Sequence, residues 1–490
     1  SNANAQVLSA TQMEVRWDAS TGNNIEGYNV YRNGAFLMSV EGAGTLEQTG
    51  LEPNTRYCYE IAAYNDLMES ARIETCAKTY FTRRWGSTSS DYGMENAIDA
   101  DGNIYVVGYT SGNMYKATEY YNIFLTKFNA AGVEQWTRQL NTHSAIFKPP
   151  QSAMGVAVDA GGNIYVTGNM EYGEENVRAK GSSSGIDAFL TKFDTNGNIL
   201  WTRMLGSNGY DYGTDVALDI YGNIYISGYT DGDMNGQDTK NGSGYDMFVA
   251  MYDSNGGFRW VNQLDINGDD YGWGIAVDTI GHIYVSGTTG TTSGQVRTKG
   301  SPPRDMFLAS YNNAGLLEWV RSLGANYIIH YISRVAVSGD GVYVTGTTMD
   351  NLDGNHSTST YDMFLTKYNY AGFKQWTRQV GGSGGDFGVN VAVDADGFIY
   401  VTGSAGSNPF DGLSSKGKDD LFLIKYDAAG NKLWTQMFGG NLYDYGMGVA
   451  AAGGYVFLTG ATYSSSFDGN SQIGNFDAFL MKYDSNGNRQ

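Results

Sequence analysis

The sequence predicts an all-β protein: a small β-sandwich followed by a seven-bladed β-propeller. Three observations carry that reading. Glycine supplies 67 of 490 residues and proline only 6, a balance suited to many tight turns between fully paired strands. Aromatic residues make up 14%, which sets the chain apart from a flexible glycine-rich linker. Finally, a glycine ending a short apolar strand recurs at Gly108, Gly168, Gly228, Gly287, Gly346, Gly403 and Gly460, with spacings of 57 to 60 residues. A fixed period of this kind marks a repeat architecture.

Length and charge set the outer limits. A chain this long exceeds one small core, so at least two domains are expected. The net charge of −20 argues against nucleic acid, which needs a basic footprint, and against docking on an anionic membrane. Apolar runs are too short for a bilayer-spanning segment. Ser1-Asn2-Ala3 reads as the scar of a cleaved tag and is set aside.

Residues 4–80 read as the sandwich. Val15 and Trp17, then Tyr28 and Val30, alternate with polar residues at the strand period. Asn33-Gly34 is a hairpin turn with the residue types that accept positive φ. Leu51-x-Pro53-x-x-x-Tyr57 follows, then Tyr59, Ile61 and Ala63. This run, with its early tryptophan, resembles the fibronectin type III family. The resemblance implies that Tyr57 forms a tyrosine corner and that Tyr59 and Ile61 point inward. Cys58 then points outward, and Cys76 falls on the neighbouring last strand, so a cross-strand disulfide on the solvent face is within reach. A cysteine pair confined to one small domain suits an oxidising compartment.

Residues 81–490 read as seven copies of one four-stranded unit. Three residues before each recurring glycine stands Tyr105, Tyr165, Tyr225, Tyr284, Tyr343, Tyr400 or Phe457. A later strand repeats Phe124, Phe189, Phe248, Phe307, Phe364, Phe422 and Phe479; an outer one repeats Trp136, Trp201, Trp260, Trp319, Trp376 and Trp434. Small residues suit the crowded inner strand and tryptophan suits the roomy outer one. The seventh copy lacks its outer strand, and "FTRRWG" at 81–86 supplies it, with Phe81 in place of the tryptophan. A split repeat closes a ring and removes its free edge. The unit resembles the bacterial SBBP β-propeller repeats, with weaker matches in the fifth and seventh copies. That family is defined by fold and occurs mostly in secreted or surface bacterial proteins, so the resemblance implies location more than activity.

Several patterns have a structural reading. D-x-D-G-N at 99–103 has the look of part of a calcium loop, but a tight turn whose Asp bonds its own backbone accounts for the spacing. The Asp opening the third strand of six copies (Asp187, Asp246, Asp305, Asp362, Asp420, Asp477), with Asn122 in the first copy, is expected to accept backbone N–H groups. The D-Y-G or D-F-G before five inner strands reads the same way, with a binding role open because it lies near the central mouth. Two G-x-S-x-G matches, Gly181–Gly185 and Gly381–Gly385, precede no helical pattern and are read as chance. No cofactor or metal is expected from motifs.

The informative positions are those where the copies disagree. At the start of the inner strand the copies carry Glu95, Gly155, Asp215, Gly274, Arg334, Asn390 and Gly448; Trp273 stands one residue earlier, and His330 replaces the usual Asp of the fifth copy. Glu95, Asp215, Trp273, His330, Arg334 and Asn390 are therefore the candidate ligand-binding residues, read as a polar funnel lining. The expected function is a secreted or cell-surface binding or adhesion protein whose long-loop face holds a glycan or protein partner. One alternative is a glycoside hydrolase or polysaccharide lyase using Glu95 and Asp215 across the channel. Another is a structural spacer.

Overall fold

The computed structural model describes residues 2–490 apart from 22–23, 113, 115–120, 145–154, 172–185, 235–243, 267, 291–303, 324–332, 350, 355–360 and 407–408. The N-terminal part is a sandwich of two antiparallel sheets. One holds Ala3–Ser9, Gln12–Trp17 and Thr45–Gln48; the other holds Ala35–Val40, Gly27–Arg32, Arg56–Tyr64 and Ile73–Lys78. Met13, Val15, Trp17, Tyr28, Val30, Leu51, Tyr59 and Ile61 form its core. The Tyr57 hydroxyl accepts the Glu52 N–H at 2.9 Å, which makes the tyrosine corner. Cys58 and Cys76 lie directly opposite each other and are disulfide-bonded. Ala3, set aside above with the tag scar, pairs with Trp17 in the first strand.

Seven four-stranded antiparallel sheets follow among the described residues, covering 91–144, 155–205, 211–264, 270–322, 334–380, 386–438 and 444–484. These are the repeated sheets of a β-propeller. The last is completed by Arg83–Trp85, which pairs with Asp477–Asp484 as its outer strand. In each of the seven sheets the recurring glycine of the second strand faces the phenylalanine of the third, as in Gly108 opposite Phe124. A Cβ on Gly108 would overlap both the Tyr92 carbonyl oxygen and the Phe124 ring. Close backbone approach, and not a turn, therefore demands this glycine.

A second recurring contact joins neighbouring sheets at the rim. The turn after each third strand contains a glycine with φ between +76° and +83°. The outer-strand aromatic of the preceding sheet packs where a side chain there would lie: Trp136 on Gly197, Trp201 on Gly256, Trp260 on Gly315, Trp319 on Gly372, Trp376 on Gly430 and Trp434 on Gly487. Two residues beyond the aromatic, Arg138, Arg203, Arg321 and Arg378 donate Nε–H to the carbonyl of that glycine at 2.6–2.9 Å. Phe81 and Arg83 repeat the whole arrangement on Gly132, with Arg83 Nε 2.6 Å from its carbonyl. Arg83 is also shared with the sandwich, since its Nη2 donates to the Pro53 carbonyl at 3.3 Å. Each inner strand packs against that of the next sheet, and Asp444–Ala452 packs against Asp91–Ile98.

Candidate functional site

The inner strands begin earlier than the sequence suggests. In five sheets they start at the Asp of the D-Y-G or D-F-G motif, such as Asp91 and Asp211. Each of these five then carries a β-bulge, as between Gly213 and Asp215. Glu95, Asp215 and Asn390 sit immediately after a bulge, mid-strand and not at its mouth. The bulge's extra residue shifts the faces of the strand there.

The structure brings Glu95, Asp215, Arg334 and Asn390 together. Arg334 Nε lies 3.4 Å from Glu95 Oε2, and Arg334 Nη1 lies 3.2 Å from Asp215 Oδ2. The Asn390 side-chain amide donates to Glu95 Oε2 at 2.7 Å. Arg334 Nη1 also donates to the Trp273 and Thr214 carbonyl oxygens. Both acids are capped by backbone: Asp215 accepts the Val216 N–H at 2.8 Å and the Ile275 N–H at 3.0 Å, and Glu95 accepts the Asn96 N–H at 3.2 Å. The three glycines of the same position make room. A Cβ on Gly155 would lie 2.6 Å from Asp215 Oδ1, one on Gly274 3.0 Å from the Arg334 Cα, and one on Gly448 2.9 Å from the Glu95 Cα.

Electrostatics follow from burial. The Arg334, Glu95 and Asp215 side chains are 5%, 12% and 13% exposed. Burial pushes Glu95 up to about 7, with Arg334 opposing and Asp215 reinforcing. Burial likewise raises Asp215, again against Arg334.

Two candidates lie elsewhere. Trp273 is the bulged residue, and its ring turns sideways into a buried cluster with Tyr229 and Tyr271, where its indole donates to Thr288 at 3.1 Å. Only its backbone carbonyl reaches Arg334. His330 falls outside the described residues, as does Gly181–Gly185; Gly381–Gly385 is irregular chain leading into a strand.

Of the aspartates that open the third strands, Asp420 accepts the Lys416 N–H at 2.7 Å and Asp477 accepts those of Ile473 and Gly474, whereas Asp246, Asp305 and Asp362 accept the side chains of Gln263, Ser322 and Gln379. Asp91, Asp211, Asp270, Asp386 and Asp444 each accept an N–H from four residues earlier at 2.6–2.7 Å. Burial pushes Asp211 up to about 6, opposed by Thr230 and Ser207 and reinforced by Asp187. Asp99 bonds the N–H groups of Asp101 and Asn103, the Asn103 amide and the Tyr105 hydroxyl, so its carboxylate is engaged within its own turn. Asp246, Asp265 and Asp270 bring oxygens within 4.8 Å of one another. Asp246 there accepts Gln263 and Asp270 accepts the Ile266 N–H.

Sequence reasoning missed two features. Aromatic residues just before the recurring aspartates join the D-Y-G tyrosines on the long-loop face. Tyr92 stacks between Tyr109 at 4.7 Å and Phe476 at 4.9 Å, and Phe476 stacks on Tyr445 at 5.8 Å. Tyr443 continues the file at 6.2 Å, with Lys418 Nζ 4.9 Å from its ring. Tyr92, Phe476, Tyr445 and Tyr443 are half-buried. The repeated pair of an aromatic followed by Asp was the available signal. The second feature is an apolar-Asp-Gly turn in three long loops. Leu352, Phe410 and Phe467 are buried, while Asp353, Asp411 and Asp468 pair with Lys374, Lys432 and Arg489. These loops thus fold back toward the outer strand.

Comparison with known proteins follows the same division. Residues 1–75 match the fibronectin type III domain, and 200–233 and 375–411 match the SBBP β-propeller repeat. The chain carries a fibronectin type III domain and SBBP β-propeller repeats. An uncharacterised WD repeat-containing protein of Acanthamoeba polyphaga mimivirus is 24% identical, over 63% of this chain and 29% of its own length. The regulatory protein FlaEY of Caulobacter vibrioides is 30% identical, over 32% of this chain and 19% of its own. This SBBP-repeat chain thus spans less than a third of either relative. Among solved structures, a puromycin hydrolase mutant aligns at TM-score 0.45 and 12% identity, covering 82% of this chain and 53% of that one. A Synechocystis apocarotenoid oxygenase mutant aligns at TM-score 0.37 and 10% identity, covering 90% and 96%.

Proposed function

We propose that the protein is a secreted or cell-surface binding or adhesion protein, and that its long-loop face holds a glycan or protein partner. The observation that carries this reading is the file of half-buried aromatic rings Tyr92, Phe476, Tyr445 and Tyr443, backed by the buried Tyr109 and drawn from the first and seventh sheets on that face. Tyrosines offer large, rigid, amphipathic contact area at low entropic cost. The Cys58–Cys76 disulfide supports an oxidising location.

The same reading takes the chain as two domains, 4–80 and 81–490, the second a closed seven-bladed ring. The packing of Asp444–Ala452 against Asp91–Ile98, and the rim contact that Phe81 and Arg83 repeat, support closure. The hydrolase or lyase reading is weaker. A carboxylate pair needs room between its members for sugar or water, and here the Arg334 guanidinium stands between Glu95 and Asp215.

A glycan array and an envelope pull-down, run with the full chain and with Phe476→Ala, test the proposal. A specific glycan or protein captured by the parent and weakened at least tenfold in the variant supports it. Equal capture by both would move the site off the aromatic file, and no capture in either assay would favour the spacer.

A further inference from the structure

At the axis two carboxylates face one guanidinium where water has little access. Glu95 comes from the first sheet, Asp215 from the third and Arg334 from the fifth. Among the described residues no second Lys, Arg or His makes an ion pair with either acid. The other groups that face Glu95 are neutral: the Asn390 amide and the Asn96 N–H. Gly448, on the strand packed beside Glu95, brings no charge. Asp215 is faced by Arg334 and by the N–H groups of Val216 and Ile275. Fully ionised, the cluster would therefore hold an uncompensated negative charge in a poorly solvated place, a costly arrangement.

We propose that this axial cluster stores a proton and acts as a proton-linked latch, holding the inner strands of the first, third and fifth sheets together when protonated and loosening them when the proton leaves. The observations behind it are the imbalance of two acids to one base, their burial, and their origin in three non-adjacent sheets. The direction of both acids' titration agrees, since burial raises Glu95 and Asp215 alike. An acid whose folded-state value is raised adds stability in full below its unfolded value, near 4.3 for Glu. That contribution fades as the pH climbs through about 7. The latch thus tightens on mild acidification and weakens above neutrality. This inference rests on the axis alone and is independent of what the loop face binds.

Hydrogen exchange on the full chain at about pH 5.5 and about pH 8.5, corrected for intrinsic rates, reads the latch directly, because one linked proton changes an opening equilibrium by about tenfold per pH unit. Peptides covering Asp91–Ile98, Asp211–Leu218 and Arg334–Ser338 should lose at least tenfold in protection at the higher pH. In Glu95→Gln, which keeps the shape and removes the titration, that pH-dependent loss should shrink below threefold. Asp215→Asn serves as the second variant should Glu95→Gln fold poorly. A parent protein with pH-independent protection at these strands, or variants that keep the parent's full pH response, would overturn the proposal.

Discussion

At the outer rim the same contact recurs from sheet to sheet, whereas at the axis the sheets contribute Glu95, Asp215, Arg334, Asn390 and three glycines. The rim contacts join sequential neighbours through an aromatic ring and a backbone carbonyl, which every copy can offer. The axial side-chain pairs join sheets that are not adjacent, so each partner must differ from the others. Sequence variation at a repeat position thus has two physical origins. It marks a ligand-facing surface, or it marks a place where copies from non-adjacent sheets meet one another. Here the second origin accounts for all four polar residues.

The sharpest test of that contrast is Arg334→Met. It leaves two buried acids without their cation and should cost about 3–5 kcal/mol in chemical denaturation. Adding Glu95→Gln and Asp215→Asn to it should recover much of the loss; a triple variant as weak as the single one would mean that packing, and not charge, holds the axis. At the rim, Phe81→Ala should cost about 3–4 kcal/mol, because the ring is fully buried between Gly132 and Phe457. A loss under about 1 kcal/mol would show that the last sheet does not depend on this rim contact. A smaller effect is expected from Asp211→Asn on the pH dependence of the unfolding midpoint. Asp211 is raised to about 6, so its contribution is complete below about pH 4 and fades as pH rises through 6, by at most about 1.4 kcal/mol per pH unit. The variant should flatten that slope; an unchanged slope would assign it to other aspartates. Smallest of all should be Arg378→Asn. The third sheet already uses Asn262 at this position, donating to the Gly315 carbonyl at 2.7 Å, so the exchange should cost no more than about 1 kcal/mol.

Much of this was legible in the chain. The glycine and tryptophan periods gave the sheets because both residues answer to local contacts within one repeat or between neighbours. The tyrosine corner was legible through the resemblance to fibronectin type III domains, and the disulfide through the strand alternation that set Cys58 outward beside Cys76. The axial pairing was not. Asn390 and Glu95 lie 295 residues apart, and nothing in either copy encodes which other copy it will face. Trp273 misled because a one-residue bulge, invisible in the sequence, turns its side chain away from the axis. The stacked file was overlooked because its members come from strand starts and loop exits that only the fold aligns.

Arg83 carries a mechanical consequence. Its guanidinium reaches the Gly132 carbonyl of the first sheet and the Pro53 carbonyl of the sandwich, while its backbone lies in the last sheet. Asn54 adds a side-chain bond to the Ala131 carbonyl. A tensile load applied to the sandwich is therefore not borne by the connecting segment alone. It is divided between the first and last sheets.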